Sequence, residues 1–462
     1  MEPVEIVRAS LGDNNPPLYY LLLHYWMLFA EDTEFAIRLP SAIASALAVP
    51  LIYGIGRLLC NRAAGMMAAL LMSTSAYQVR YAQEARGYAL LVFLGLASFY
   101  FLLKLLEDSK RSRLITAGYV VCTTLLMYTH VYGILLVAAQ GIYLLATRQA
   151  PRRWLLSAGL VAVLYVPGVA WFAVNVLSSG GAWSNAMFWV PDPTLAHVVN
   201  FFVLYSGFAL VAGVFGMLAT FGLFDLVRSR QGSTAWLLLA WLLVPIVVPF
   251  IASHLYRPML LDRYTIAASP AFYLLVASGI EALGGIKYSR ALAAVAVAVV
   301  SFMATFSYFA ATTHTPWREI AGYVEEHAHP GDLVLFNEGS ARLMFGYYPK
   351  REGVAQEVAS VESPSPPVTW KEMREGLAPA VEGHRRVWLV RSNWGSSPRT
   401  RKLFKTVLVN LRGSVLYSEG HPVDDAYNKK LATFPYQAHV RLFLFAKHED
   451  HAPEASRNLN QH

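Results

Sequence analysis

The dominant constraint in this sequence is a series of long apolar segments with no ionisable side chain near their centres. Ten stretches show it: 40–59, 63–79, 87–106, 114–129, 131–147, 154–177, 204–227, 234–253, 264–283 and 290–311. Their few charged residues, such as Arg57, Lys104, Asp225 and Glu281, sit at the ends. Segments of about 17–25 apolar residues are long enough to cross a bilayer as helices. Composition agrees: of 462 residues, 15% are charged and 55% hydrophobic, whereas a soluble domain carries about 25% charged residues. That excludes a soluble globular protein and, by the same apolar content, a disordered one. Two cysteines, Cys60 and Cys122, both in apolar runs, exclude a disulfide scaffold. The expectation is a polytopic helical membrane protein.

The formal net charge of +8 does not point to nucleic acid, because the basic excess has an address. Connections on one side of the alternation hold Arg57, Arg62, Lys104, Lys110, Arg111, Arg113, Arg148, Arg152, Arg153, Arg228, Arg230, Lys287 and Arg290, 13 in all. The alternate set, excluding the C-terminal segment, holds six: Arg8, Arg38, Arg80, Arg86, Arg257 and Arg263. Basic loops stay in the cytoplasm. The first set is therefore expected inside a cell membrane, and the chain from Thr312 outside it.

The run at 16–29, PPLYYLLLHYWMLF, is short for a span and of the length of an interfacial helix. Pro16 and Pro17 suit a first helical turn, and Tyr19, Tyr20, Tyr25 and Trp26 favour the headgroup level. If it lies along the surface, parity makes the chain begin outside, as though a preceding span were missing; if it crosses, the spans number eleven. After Thr312 the texture changes. Trp317–Glu326 and Thr400–Leu411 read as helices, and Leu333–Phe336, Arg386–Val390 and Val440–Phe445 as strands. The domains expected are an outer-face segment 1–39, a transmembrane helical domain 40–311, a small extracytoplasmic α/β domain 312–448 and a polar tail 449–462.

Charged groups collect on the expected outer boundary, among them Asp13, Glu31, Asp32, Glu34, Arg38, Arg80, Glu84, Arg86, Asp192, Arg257, Asp262 and Arg263. Carboxylates there can act as general bases, and arginines can grip a phosphate with two prongs; each can equally be an interface anchor. Ion-coupled transporters need ionisable groups at mid-depth, which these spans lack. His314, His327, His329 and His384 have no ligand spacing with cysteine, so no metal is expected. No glycine-rich phosphate loop follows a strand, so neither a nucleotide donor nor any other cofactor is expected.

Three stretches carry a resemblance: 13–59, beginning DNNPPLYYLLLHYW and containing EFAIRLPSA; 77–90, YQVRYAQEARGYAL; and 128–140, YTHVYGILLVAAQ. In this order they resemble the polyprenyl-phosphate-sugar-dependent GT-C glycosyltransferases, in particular glycosyltransferase family 39, with its protein O-mannosyltransferases and the related aminoarabinose transferases. The later stretch 256–271, YRPMLLDRYTIAASPA, is similar to the family's entry to a late span, with Arg263-Tyr264 matching. The resemblance implies a GT-C fold and inverting transfer of a sugar from a polyprenyl phosphate to an extracytoplasmic protein, lipid or glycan. It also implies an acidic pair on a first outer loop, some twenty or more residues before the PPLYY run. This N-terminus carries neither that pair nor the first span.

On this reading Asp13 and Glu84 are the candidate catalytic carboxylates. Arg86, His130, Arg263 and Tyr264 are candidates for the donor phosphate and substrate. Trp189 and Asp192, on the outer loop 178–203 with Trp183 and Phe188, are candidates for sugar or acceptor contact. The partners expected are the lipid-linked sugar, membrane lipid and the acceptor. The alternatives are a transporter or flippase of lipid-linked sugars, and a non-catalytic membrane scaffold.

Overall fold

The computed structural model describes residues 2–446 apart from 12–14, 108–111, 179–189, 191, 286–287, 311–316, 338, 349–352, 359–368, 393–401, 403, 405, 409–410, 412–413 and 420–439. Two compact units emerge, Met1–Tyr308 and Phe309–His462.

The first unit is helical. It opens with α1 (Pro3–Ser10) and α2 (Leu18–Met27), followed by α3 (Glu34–Leu59), α4 (Arg62–Ser73), α5 (Ala76–Ala82) and α6 (Tyr88–Glu107). Next come α7 (Arg113–Thr129), α8 (Tyr132–Ala146), α9 (Arg152–Leu164), α10 (Val166–Ser178) and α11 (Leu195–Ser206). Then α12 (Ala209–Arg228), α13 (Gly232–Leu255), a 3₁₀ turn at Asp262–Ala268, α14 (Ser269–Ala282) and α15 (Ser289–Ala310) complete it. Among the described residues six helical segments are long and apolar enough to cross a membrane, and a seventh forms if α9 and α10, bent by 44°, count as one span. Apolar side chains such as Leu114, Leu210, Met217, Leu292 and Phe302 are exposed, as suits helices that face lipid. The chain is a multi-pass membrane protein.

At ten residues α2 is about 15 Å long, half the hydrocarbon thickness, so it does not cross. Trp26 Nε1 donates to the Ala36 carbonyl (2.8 Å), pinning α2 against α3.

Three expected spans are interrupted. Segment 63–79 divides at Thr74-Ser75, because Ser75 caps a new helix by accepting from the Gln78 amide. Segment 204–227 starts only at Ala209, after Gly207 adopts φ 88°. A side chain there would strike Ala304 as well as strain the backbone. Segment 264–283 begins as the 3₁₀ turn and becomes α-helical at Ser269, with Pro270 in the first turn, where no intrahelical amide bond is lost. Of the others, α4, α8 and α11 are apolar but short.

Close packing depends on small residues. Gly222 of α12 and Gly279 of α14 face each other, and a Cβ on Gly279 would collide with the Leu218 backbone. Backbone atoms cannot move aside as a side-chain tip can, so overpacking here costs at least about 1–3 kcal/mol. Gly279→Ala is expected to lower the melting temperature of the detergent-solubilised protein clearly. Gly216→Ala, in open space, is expected to leave it nearly unchanged.

The second unit contains α16 (Trp317–His327), β1 (Leu333–Phe336), α17 (Gly339–Gly346), β2 (Ala355–Val358), α18 (Trp370–Val381), β3 (Arg386–Ser392), β4 (Ser414–Glu419) and β5 (Val440–Ala446). The sheet order is β2-β1-β3-β5-β4; β1 is parallel to both neighbours, and β5 is antiparallel to β3 and β4. Alternate residues serve opposite faces. Val334, Phe336, Trp388 and Val390 pack on α16 and α17 residues, while Leu335, Val387 and Leu389 pack on α18 and on Phe404, Val407 and Leu408 of the expected 400–411 helix. Buried Asp332 accepts from Arg386 (2.7 Å) and Trp388 Nε1 (2.9 Å).

Candidate functional site

The two ends of the helical unit differ. At one end Asn61 and Arg290 both reach Glu281, at 3.1 and 3.3 Å, tying together connections that the basic-residue count assigns to the cytoplasm. At the other end the 75–88 connection, the α7–α8 turn and the 3₁₀ segment converge. Tyrosines fill that convergence.

Tyr77 and Tyr81 are four residues apart, so α5 presents both on one face, and Tyr88 opens α6. The three rings touch in series, with centroids 5.1 Å apart at each step. Tyr88 meets His130 at 5.9 Å, and His130 lies edge-on to Tyr264 at 4.7 Å. Tyr132 closes the ring against Tyr264 at 5.3 Å. Tyr77, Tyr81, Tyr88, His130, Tyr132 and Tyr264 are all buried.

The 3₁₀ turn is fastened by its backbone. The Tyr77 hydroxyl donates to the Asp262 carbonyl at 2.5 Å, and Thr265 Oγ1 donates to the same carbonyl at 2.7 Å. Tyr205 of α11 donates to the Thr265 carbonyl at 2.8 Å. Residues i and i+3 eclipse in a 3₁₀ helix, which brings Thr265 beneath Asp262. The turn holds Asp262, Arg263 and Tyr264 against the tyrosines as a rigid block.

Charge is concentrated around this cage. The Arg263 guanidinium lies 5.5 Å from the centre of the Tyr264 ring, and Arg80 lies 5.4 Å from that of Tyr81. Arg86 and Arg263 are electrostatic neighbours, and both act on Tyr88. Glu84 pairs with Arg80 at 3.6 Å, closing the connection between α5 and α6. Asp262 is 7% exposed. Three arginines against two carboxylates leave one positive charge, which suits an anion.

His130 supplies a neutral donor. Its Nδ1 accepts the Tyr132 amide at 3.1 Å, which puts the proton of the neutral ring on Nε2. Nε2 is buried and has no hydrogen-bond partner among the described residues. Burial, reinforced by the Arg263 charge, pushes the imidazole pKa down to about 3.

Beside the cage a cavity of about 590 Å³ opens between α1 and α2, lined by Ile6, Ala9, Leu23, His24, Met27 and Tyr20. Tyr20 also acts electrostatically on Arg86. Tyr19 bonds Ser41 Oγ (2.8 Å), and Ser41 donates to the Arg86 carbonyl (3.3 Å). The apolar chamber thus adjoins the basic cluster.

The structure brings Glu84, Arg86, His130, Arg263 and Tyr264 together. Asp192 is exposed ahead of α11, and no described contact joins it to the cage. Asp13 and Trp189, with Trp183 and Phe188, lie outside the described residues. Among the described residues no three His, Cys, Asp or Glu side chains converge on a metal position. Sequence reasoning did not single out the cage tyrosines 77, 81, 88, 132 and 205, or the burial of Asp262. The i, i+4 spacing of Tyr77 and Tyr81 within YQVRYAQEARGY was the available signal.

Comparison with known proteins bears on the fold. Residues 14–177 match the family described as dolichyl-phosphate-mannose-protein mannosyltransferase. ArnT from Cupriavidus metallidurans in the apo state superposes over 96% of this chain and 92% of its own, with a TM-score of 0.56 at 14% identity. This chain has the GT-C fold. The same ArnT bound to undecaprenyl phosphate gives 0.55 at 13% identity over the same shares. The Archaeoglobus fulgidus oligosaccharyltransferase in complex with zinc and sulfate gives 0.52 at 11% identity, covering 84% of this chain and 64% of that one. No curated protein matches the chain. The family match bears out the resemblance carried by PPLYY, YAQEARGYAL and YTHVYG, and it spans Tyr20, Glu84, Arg86 and His130.

The buried imidazole has a measurable consequence. Unfolded His130 takes up a proton below pH 6.5, whereas the folded ring resists protonation down to about pH 3. The unfolded state therefore binds more protons in that window, and stability falls as pH drops through it. Against wild type, His130→Gln is expected to lose less melting temperature between pH 7 and pH 5; an identical loss would contradict the assignment.

Proposed function

We propose that this protein is a glycosyltransferase that moves a sugar, with inversion, from a polyprenyl phosphate to an acceptor at the outer membrane boundary. The observation that carries this reading is the adjacency of the Arg86–Arg263 pair to an apolar chamber at one end of a GT-C helical unit. A phosphate with a long hydrocarbon tail is the ligand whose two halves match those two environments. ArnT and the archaeal enzyme AglB, solved with undecaprenyl phosphate and with a dolichol-phosphate respectively, support the same ligand class.

In this reading Arg86 and Arg263 hold the phosphate and take up the charge that appears as it leaves. A lipid phosphate is a competent leaving group without a strong acid. Neutral His130 donates its Nε2 proton to a phosphoryl or sugar oxygen, and its low pKa keeps it neutral even in acid. Tyr264 and Tyr88 shape the pocket and exclude water. The first isoprene units enter the chamber between α1 and α2. The acceptor oxygen attacks the anomeric carbon from the side opposite the phosphate, which inverts its configuration. The loop distribution of Lys and Arg supports an extracytoplasmic position for this end, in keeping with an acceptor outside the cytoplasm.

Removing one charge-assisted phosphate contact costs about 1.5–3 kcal/mol, roughly a tenfold to hundredfold effect. Arg86→Ala and Arg263→Ala are each expected to weaken thermal protection by undecaprenyl phosphate by about that factor, with the unliganded protein still folded. Leu23→Trp, which fills the chamber, is expected to weaken binding of undecaprenyl phosphate while sparing methyl phosphate, which has no tail to place there. Equal effects on both ligands would remove the chamber from the site.

A further inference from the structure

We propose that Gln140 is a positioning residue for the tyrosine cage, acting through the register of α6, α7 and α8. This rests on the glycosyltransferase reading above. Gln140 closes the stretch YTHVYGILLVAAQ, which contains His130, and it is the sole side-chain amide in those three helices.

Its amide joins all three. The Trp154 indole N–H, from the start of α9, only donates. The Tyr119 hydroxyl of α7 accepts it at 2.9 Å and donates in turn to Gln140 Oε1 at 2.8 Å. Gln140 Nε2 then donates to Ser98 Oγ of α6 at 2.8 Å, and the Ser98 hydroxyl lies 2.7 Å from that of Thr123 on α7. Ser98, Tyr119, Thr123 and Gln140 are all buried. Directional bonds of this kind specify register, as non-directional apolar contacts do not. A slide of one helix by one turn, about 5.4 Å, would leave these polar groups unmet in an apolar interior, where each is costly.

The cage lies at the same end of each helix. α6 starts at Tyr88, α7 ends at Thr129 just before His130, and α8 starts at Tyr132. Ser98 follows Tyr88 by ten residues and Gln140 follows His130 by ten, each about 15 Å of helix. The bridge therefore lies at matching depth on α6 and α8, and at the cage end of those helices the Tyr88 and His130 rings meet at 5.9 Å.

Between bridge and cage the helices leave no slack. A Cβ on Gly133 would lie 2.5 Å from the Leu126 carbonyl oxygen, and one on Gly95 would lie 2.8 Å from Leu136 Cδ1. A shift at Gln140 is thus carried by closely packed helices to His130. The Tyr132 amide holds its Nδ1 at 3.1 Å, and its Nε2 has no partner among the described residues. Interhelical hydrogen bonds add little to the net stability of a membrane protein, whereas a displacement of about 1 Å at a reacting group costs about a hundredfold in rate. Gln140 matters more to placement than to stability.

The test uses the full chain in nanodiscs with polyprenyl phosphate carrying radiolabelled mannose, glucose or aminoarabinose, and reads release of free sugar into water. Rates are expressed per site that binds undecaprenyl phosphate, so that unfolded protein does not count. Gln140→Leu is expected to lower kcat about tenfold or more with KM within about threefold, since Arg86 and Arg263 lie outside these helices. Gln140→Glu, whose buried carboxyl stays neutral and offers one oxygen acceptor and one O–H donor, is expected to recover most of the rate. In a His130→Ala background, Gln140→Leu is expected to add less than about twofold, because its effect passes through His130. Ser98→Ala, which cuts only the α6 arm, is expected to lose about threefold to tenfold with the same non-additivity.

A Gln140→Leu rate within about threefold of wild type would overturn the assignment. So would losses that multiply in the double variant, or a Gln140→Glu as slow as Gln140→Leu. Should Gln140→Leu not fold, a Ser98→Ala protein at the wild-type rate overturns it alone. A wild-type protein that consumes none of the donors would instead overturn the glycosyltransferase reading itself, and this assignment with it.

Discussion

The hydrogen bond from Tyr77 to the Asp262 carbonyl joins a short helix near the start of the helical unit to a 3₁₀ turn 185 residues later. In an apolar environment an unmet carbonyl costs several kcal/mol, and a 3₁₀ turn at the head of a span leaves carbonyls of that kind. Tyr77, Tyr205 and Thr265 meet them. In doing so they bring Arg263 and Tyr264 against Tyr88 and His130. The arrangement of the charged groups follows from satisfying the backbone of one irregular turn.

The same economy explains why the charged groups gather at one end. The spans carry no ionisable group near their centres, so arginines and carboxylates belong at the boundaries. At the cytoplasm-facing end, as the basic residues assign it, Glu281 has Asn61 and Arg290 as partners. At the opposite end Arg80, Arg86 and Arg263 exceed Glu84 and Asp262 by one charge, and His130 keeps an unsatisfied Nε2 among the described residues. Glu281 is matched at the first end, whereas at the second the His130 Nε2 is unmatched among the described residues.

Much of this was legible in the sequence, and the exceptions have physical reasons. Apolar length revealed the helical unit, and the order of PPLYY, YAQEARGYAL, YTHVYG and DRY located the segments that meet in the cage. Interruptions at Thr74-Ser75 and Gly207 were hidden, since neither a cap serine nor one glycine changes hydropathy over a window long enough to define a span. The tyrosines were hidden for another reason: at a membrane boundary an aromatic belt and a buried ring cluster have the same composition. In the sequence Asp262 is one of many charged residues at the expected outer boundary. Only the fold shows that its electrostatic partner is Arg80, 182 positions earlier. In the C-terminal unit β2 and β4 escaped notice, because AQEV and SVLYSE are short and half polar.

In the function proposed, the tyrosine cage with its two arginines receives a lipid phosphate. A cryo-electron microscopy map of the protein in nanodiscs with undecaprenyl phosphate tests it most directly. The account predicts phosphate density between Arg86 and Arg263, within hydrogen-bond reach of His130 Nε2, and tail density entering the chamber between α1 and α2. Phosphate density at any other place, with the cage unchanged and closed, would contradict it.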